Sequence, residues 1–139
     1  INRPLRSLHQ VTSRFSVGVP NRGVYETAYD IWDTSMAYEV MLWMNVRGAF
    51  PAGSYRGTVS VEGSTWRVYV GRVASHSDIS LVRTRGTTRA NVDILAVVKW
   101  AQARGWFGGS LGQIQFGWEI VSSPGGEEFT VNRYSVTYN

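Results

Sequence analysis

The sequence predicts an all-β domain that carries a single helix. Most of the chain alternates apolar and polar residues with a period of two, Gly-rich turns separate the short segments, and only one segment has helical periodicity. The chain has 139 residues, 43% of them hydrophobic and 17% charged, which is typical of a folded domain. We therefore expect one domain, residues 1–139, with a sandwich, a barrel or a jelly roll as its architecture.

Seven segments have the periodicity of strands. Asp33 opens a short polar turn between the first two, Gly63-Ser64 is a two-residue hairpin signal, and a Pro-Gly-Gly loop precedes the last. The predicted strands are 25–32, 37–47, 58–62, 65–70, 78–83, 113–122 and 129–138.

One segment, 91–104, predicts an amphipathic helix. Its apolar residues recur at helical spacing, with Asn91 suited to the N-cap and Gly105 to the stop. The apolar residues are Val92, Leu95, Val98 and Ala101, with Ile94 and Val97 widening the stripe. We expect this helix to pack on the outer face of a sheet.

Composition excludes several classes of site. The chain has no Cys, which excludes disulfides and thiol chemistry, and its two histidines, His9 and His76, are too far apart in sequence to suggest a zinc site. No stretch is long and apolar enough to span a bilayer, and no signal peptide is visible. Because the chain begins with Ile1, we expect a further segment upstream.

The charge pattern does not predict nucleic-acid binding. The net charge of +4 permits an anionic partner, but the arginines are scattered and only Arg83, Arg85 and Arg89 form a loose group. Proteins that bind nucleic acid usually concentrate positive charge on one face or helix.

Glu39 is anomalous in its predicted strand. One face of that strand carries Tyr38, Val40, Leu42 and Met44, and the other carries Ala37, Glu39, Met41, Trp43 and Asn45. Both faces are largely apolar, so the strand should be central and covered on both sides. A carboxylate in such a place is costly unless it is hydrogen-bonded, paired or functional. Glu39 is therefore a candidate functional residue.

Two further acids are candidates. Glu119 shares a strand face with Gln115 and Gly117, and a mid-strand glycine indicates close approach of a ligand or another chain. Solvent exposure explains Glu119 equally well, and it is our expectation for Glu26 and Glu62. Asp30 comes near Glu39 if their two strands pair across the short turn, and two neighbouring carboxyls can form an acid-tuning network.

Five motifs, in order along the chain, resemble those of glycoside hydrolase family 12. They are AYDIW at 28–32, YEVMLW at 38–43, PAGS at 51–54, WRVYVG at 66–71 and QFGWE at 115–119. The resemblance begins near Phe15 and includes the helix, while the family's longer N-terminal portion has no counterpart here. It implies a two-sheet, concanavalin-like jelly roll whose concave sheet binds a glucan chain. It also implies that Glu39 is the nucleophile, Glu119 the acid/base and Asp30 the acid beside the nucleophile.

The resemblance also implies a substrate and a setting. The substrate would be a β-1,4-glucan, cut internally by a retaining mechanism with carboxyl groups about 5–5.5 Å apart. The implied substrate-binding residues are Trp32, Met41, Trp43, Asn45 and Gln115. We expect no metal or cofactor, no nucleic acid and no membrane, and a secreted, extracellular monomer that associates with the missing N-terminal segment where that segment is present.

Two other functions remain open on the sequence. One is a non-catalytic, glucan-binding jelly roll derived from such an enzyme. The other is a structural or assembly β-sandwich whose arginines meet nucleic acid or a partner, although this alternative leaves Asp30, Glu39 and Glu119 unexplained.

Overall fold

The computed structural model describes all 139 residues as two stacked β-sheets and one helix. The strands are β1 Arg3–Pro4, β2 Val11–Gly18, β3 Val24–Asp33, β4 Tyr38–Arg47, β5 Ser54–Val61, β6 Ser64–Val73, β7 His76–Arg83, β8 Arg89–Asp93, β9 Ser110–Ser122 and β10 Thr130–Tyr138. Helix α1 spans Ile94–Ala103, and a 3-10 turn spans Leu5–Ser7. The large sheet has the order β1-β9-β3-β4-β7-β6-β5, and the small sheet has the order β10-β2-β8.

Strand β3 is the third of the seven strands in the large sheet, next to the central strand β4. It pairs antiparallel with β4 on one side and with β9 on the other, and β4 pairs in parallel with β7. Three adjacent strands, β9-β3-β4, therefore carry Glu119, Asp30 and Glu39, respectively.

Alternation along the strands divides the large sheet into two faces. One face packs against the small sheet and α1 in a single cluster of 22 buried residues. Strands β3, β4 and β7 contribute six of these residues, namely Tyr29, Ile31, Val40, Leu42, Ile79 and Leu81. The other face buries a second, smaller apolar group of Ala28, Met41, Trp43 and Val82. Strand β4 is thus covered on both faces, as its sequence predicts.

All seven predicted strands are present, and β3 and β4 pair across the turn that follows Asp33. The sequence reading missed β1, β2 and β8. In β2 the signal was available, because its buried residues alternate strictly with more exposed ones. The buried ones are Val11, Ser13, Phe15 and Val17.

The predicted helix is confirmed, but it begins later than expected. Asp93, not Asn91, caps it, because the Asp93 side chain accepts a hydrogen bond from the backbone N–H of Ala96 at 3.0 Å. Asn91 belongs to β8, where its Oδ1 accepts a hydrogen bond from Arg14 Nε at 3.0 Å. Pairing with β2 therefore competes successfully with helix formation at that end. The apolar side of α1 is buried in the large core cluster and contacts β2 and β5.

The β5–β6 hairpin turns one residue earlier than predicted. Its two turn residues are Glu62 and Gly63, rather than Gly63 and Ser64, with φ angles of 52° and 82°. Two successive positive φ angles are what the common two-residue hairpin turn requires.

With ten residues, α1 is shorter than a membrane-spanning helix needs to be.

Candidate active site

Five acidic side chains share the face of the large sheet that points away from the small sheet. They are Glu26 and Asp30 on β3, Glu39 on β4, Asp78 on β7 and Glu119 on β9. We call this surface the acid face. The pKa values of Glu26, Asp30, Glu39 and Asp78 are each raised by the charge of at least one other member of the group, so the five carboxyls form one electrostatic cluster.

Glu39 is a buried acid with two hydrogen-bond partners. Only 8% of the residue is exposed, and burial is the main cause that raises the pKa of its carboxyl. A hydrogen bond from Asp30 opposes that rise, whereas the charges of Asp78 and Glu119 add to it. The second partner is His76, whose Nε2 lies 2.9 Å from Glu39 Oε1. The buried Glu39 that the sequence singles out is therefore both hydrogen-bonded and paired.

Asp30 lies beside Glu39, as the pairing of β3 with β4 predicts. Burial raises the pKa of Asp30 to about 7, and the hydrogen bond to Glu39 and the charge of Glu39 act in the same direction. Below that pH Asp30 keeps its proton, and a protonated carboxyl can donate a hydrogen bond to an ionised one. Asp30 can thus stabilise the ionised form of Glu39.

Asp78 is an acid of the site that sequence reasoning missed. It is buried directly opposite Glu39 in the parallel β4–β7 pair, and Ser80 Oγ donates a hydrogen bond to Asp78 Oδ1 at 3.1 Å. Burial raises its pKa, while the Ser80 hydrogen bond and the charge of His76 lower it. Alternation with Ile79 and Leu81 places Asp78 on the second face, but nothing in the sequence shows that this face is covered.

The expectation that Glu26 lies on the surface is wrong. Glu26 is only 1% exposed, and it lies on the acid face with Asp30, opposite Glu119 in the β3–β9 pair. Burial raises its pKa to about 8, and the charges of Glu119 and Asp30 add to the rise. Its Oε1 is buried without a hydrogen-bond partner. The alternation of Glu26, Ala28 and Asp30 was the available signal.

Glu119 is the exposed carboxyl of the cluster. It lies at the edge of a cavity of about 180 Å³ that also contains Glu26, Asp30 and Gln115. A Cβ atom added at Gly117 meets no atom within 4 Å, so the glycine leaves open space beside Glu119. A ligand seated in this cavity can reach Glu119 directly.

The predicted substrate-binding residues fall into two groups. Met41 and Trp43, each 4% exposed, form the floor of the acid face, while Trp32 is half-buried and Gln115 is exposed. Asn45 ties strands together, since its Oδ1 accepts from Thr27 Oγ1 at 2.8 Å and its Nδ2 donates to the Thr87 carbonyl at 2.9 Å. The role of all five in binding substrate stays a prediction.

The Pro51–Ser54 motif lies against β6 at the border of the acid face. A Cβ atom added at Gly71 would come 2.6 Å from the Cα of Gly53, so the loop and the strand touch backbone to backbone. Gly71 is the partner of Asp78 in the β6–β7 pair. The glycine in each motif therefore brings the loop close to the acid cluster.

Three of the arginines lie away from the acid face, on the small sheet. A depression of about 510 Å³ on the small sheet is lined by Arg14, Arg89 and Arg133 and contains no carboxyl group. The group expected at Arg83, Arg85 and Arg89 is divided, because β7 belongs to the large sheet and β8 to the small one. No three His, Asp or Glu side chains are placed so that they could hold a metal ion.

The acid face can support acid–base and nucleophilic chemistry. Glu39 is held by hydrogen bonds in a covered position, and Glu119 is open to a ligand and to solvent, yet the charge of Glu119 still affects the pKa of Glu39. Two coupled carboxyls in different environments are suited to different roles in one reaction.

Comparison with known proteins agrees with this geometry. The family model for glycosyl hydrolase family 12 matches residues 2–139. Endoglucanase S of Pectobacterium parmentieri is 30% identical over 149 residues, and the match covers 95% of this chain and 56% of that protein. The chain therefore spans little more than half the length of this curated relative.

Solved structures give the same result. The xyloglucanase domain of NopAA, a type three effector from Sinorhizobium fredii solved with cellobiose, is 38% identical with a TM-score of 0.95, and the match covers 100% of this chain and 72% of that one. Endoglucanase cel12A from Rhodothermus marinus is 28% identical with a TM-score of 0.91, covering 100% and 66%. The jelly-roll fold is thus confirmed, and the chain belongs to glycoside hydrolase family 12.

Proposed function

We propose that this chain hydrolyses β-1,4-linked glucans internally by a retaining double displacement. One observation carries the proposal: Glu39 is buried and hydrogen-bonded to two side chains, Glu119 is exposed, and the charge of Glu119 raises the pKa of Glu39. Glu39 acts as nucleophile, Glu119 as acid/base, and Asp30 as the hydrogen-bond donor that keeps Glu39 ionised.

In the first step, a Glu39 oxygen attacks the anomeric carbon and forms an ester to it. The bond between that carbon and the glycosidic oxygen breaks, and protonated Glu119 transfers its proton to the departing oxygen. The leaving glucan gains a hydroxyl group, and Glu119 becomes a carboxylate. The open space at Gly117 lies where a sugar next to Glu119 can be accommodated.

In the second step, the Glu119 carboxylate removes a proton from water. The water oxygen attacks the anomeric carbon, the ester bond breaks, and Glu39 returns as a carboxylate. Two inversions restore the starting β configuration. Asp30 supports this step as well, since it stabilises the carboxylate that departs.

The names of the relatives suggest a substrate class. Endoglucanase S, the cel12A endoglucanase and the NopAA xyloglucanase domain define cellulose-type glucans and xyloglucan as the polymers to test first. Since such polymers are found outside cells, the proposed setting is extracellular.

The test measures reducing ends released from carboxymethylcellulose, mixed-linkage glucan and xyloglucan. Glu39→Gln and Glu119→Gln remove the proposed nucleophile and acid/base, respectively. The matched control is Glu128→Gln, which changes an exposed acid in a loop. We expect hydrolysis by the wild type and the control, no hydrolysis by Glu39→Gln, and hydrolysis slowed by about a hundredfold or more in Glu119→Gln. The product should have the β configuration by NMR. Turnover by Glu39→Gln equal to that of the wild type would overturn the assignment.

The same experiment separates the second candidate, a non-catalytic glucan-binding protein. Affinity for cello-oligosaccharides with no reducing ends released by the wild type identifies that function instead. The burial of an acid, Glu39, beside Asp30 is costly and is not needed for binding alone, so it favours hydrolysis.

A further inference from the structure

We propose that His76 is a positioning residue that holds the Glu39 carboxylate and keeps it ionised. This inference rests on the proposed role of Glu39 as nucleophile. It concerns a residue outside the predicted site, at the start of β7, where the motifs of the sequence gave no indication of a role.

The contact is short and direct. His76 Nε2 lies 2.9 Å from Glu39 Oε1, which is a hydrogen-bond distance. An ionised carboxylate can only accept, so Nε2 carries the hydrogen. The bond occupies Oε1 and so orients the carboxyl group.

The imidazole is itself held in place. Its ring packs edge-on against the Trp32 ring, with centroids 4.6 Å apart and an interplanar angle of 62°. Only 14% of the His76 side chain is exposed. Trp32 is the residue opposite Glu39 in the β3–β4 pair, so one aromatic contact fixes the donor beside its acceptor. A donor with a fixed ring loses little entropy when it binds the carboxylate.

His76 is the one basic group that faces Glu39. The other titratable neighbours are all acids: Asp30 on β3, Asp78 on β7 and Glu119 on β9. Glu26, the β3 partner of Glu119, is an acid as well. Strand β6 adds no charge there, because Gly71 and Val73 are the partners of Asp78 and His76. The one other contact between a basic and an acidic side chain within salt-bridge distance, Arg22–Glu127, lies in other segments. Without His76, Asp30 would be the only partner opposing the repulsion on Glu39.

The test compares His76→Phe, which keeps an aromatic ring against Trp32 but removes the donor, with His76→Gln, which keeps an N–H donor. His9→Phe, at the only other histidine, is the matched control and lies in an exposed position. The first readout is the pH titration of the Glu39 side chain, which carbon-13 NMR monitors in protein labelled at its glutamates. This readout does not depend on activity.

We expect His76→Phe to raise the pH at which Glu39 titrates by about one unit, because a charge-assisted hydrogen bond to the carboxylate is lost. His76→Gln should restore about half of that change. In hydrolysis of xyloglucan or mixed-linkage glucan, the acid limb of kcat should move to higher pH by the same amount while KM stays unchanged, since His76 does not line the cavity beside Glu119.

The outcomes separate the two proposals. If the wild type is active, and His76→Phe leaves both the Glu39 titration and the acid limb of kcat unchanged, the role of His76 is overturned. A shifted Glu39 titration in a protein that hydrolyses no glucan would support the hydrogen bond and overturn the proposed function. A fall in kcat at every pH, with no shift of either titration, would mean that the change only disturbed packing and would also overturn the positioning role.

Discussion

The two halves of the acid face hold their carboxyls in opposite ways. On the β4–β7 side, Glu39 is buried and has two partners, Asp30 and His76. On the β3–β9 side, Glu119 is exposed and lies opposite Glu26, a buried acid with an unpartnered oxygen. The difference matches what the two proposed roles demand. A nucleophile needs one protonation state and one position, whereas an acid/base must exchange a proton twice in each cycle.

The largest expected effect is on the rate of hydrolysis, and its dependence on the leaving group distinguishes Glu39 from Glu119. Glu39→Gln should remove hydrolysis of every substrate, because no group replaces the nucleophile. Glu119→Gln should slow glucan hydrolysis by about 10²–10⁴-fold, the usual contribution of a general acid. It should slow the first step far less with a dinitrophenyl cellobioside, whose leaving group needs no proton. Steady-state and burst kinetics on both substrates check this.

A chemical rescue provides the control for that prediction. Azide should restore turnover in the alanine variants and give products of opposite configuration, the α-glycosyl azide from Glu39→Ala and the β-glycosyl azide from Glu119→Ala. Identical configurations from the two variants would contradict the division of roles.

The second effect is on stability and tests the cost of burying the Glu26 carboxyl opposite Glu119. The pKa of Glu26 is about 8 in the folded protein, against 4.5 ordinarily. Between these values the folded state keeps a proton that the unfolded chain has released, so stability falls as pH rises from about 4.5 to 8, by at most about 5 kcal/mol. Glu26→Gln should therefore be more stable than the wild type at pH 8 and nearly equal at pH 4.5. Denaturant unfolding at both pH values measures the difference.

The matched control for Glu26 is again Glu128→Gln, which changes an exposed acid in a loop. Its unfolding free energy should follow that of the wild type at both pH values. If the unfolding free energy of Glu26→Gln depends on pH in the same way as that of the wild type, ionisation of the buried Glu26 is not the cause of the lost stability.

The third effect concerns the partner of Glu39. Asp30, with a pKa of about 7, loses its proton above that pH, and the hydrogen bond to Glu39 is then replaced by repulsion. Inactivation by a dinitrophenyl 2-fluoro-cellobioside isolates the attack by Glu39, since it needs no acid. Its rate should fall about tenfold per pH unit above pH 7 in the wild type. Asp30→Asn, whose amide donates at any pH, should lack this decline; a decline preserved in the variant would contradict the role of Asp30.

The sequence predicts these two halves to different depths. Glu39 can be found from its strand alone, because both faces of 37–47 are apolar, and Asp30 follows from the pairing of two strands across a short turn. Glu26 and Asp78 were missed for one physical reason. Alternation shows which residues share a face, but burial of that face depends on neighbours distant in sequence. His76 depends on the parallel β4–β7 pairing, which no local pattern encodes.

The smallest effect tests whether the open space beside Glu119 belongs to the substrate. Gly117 has room for a Cβ atom and no positive φ, so Gly117→Ala should stabilise the fold by about 0.5–1 kcal/mol. Gly109→Ala is the matched control, because it also meets no atom but lies outside the cavity. If a sugar passes over Gly117, the added methyl group should raise KM roughly fivefold or more, as overpacking costs about 1–3 kcal/mol. Equal KM values for the two alanine variants would mean that the glucan reaches Glu119 without crossing β9, and that the glycine serves only the strand.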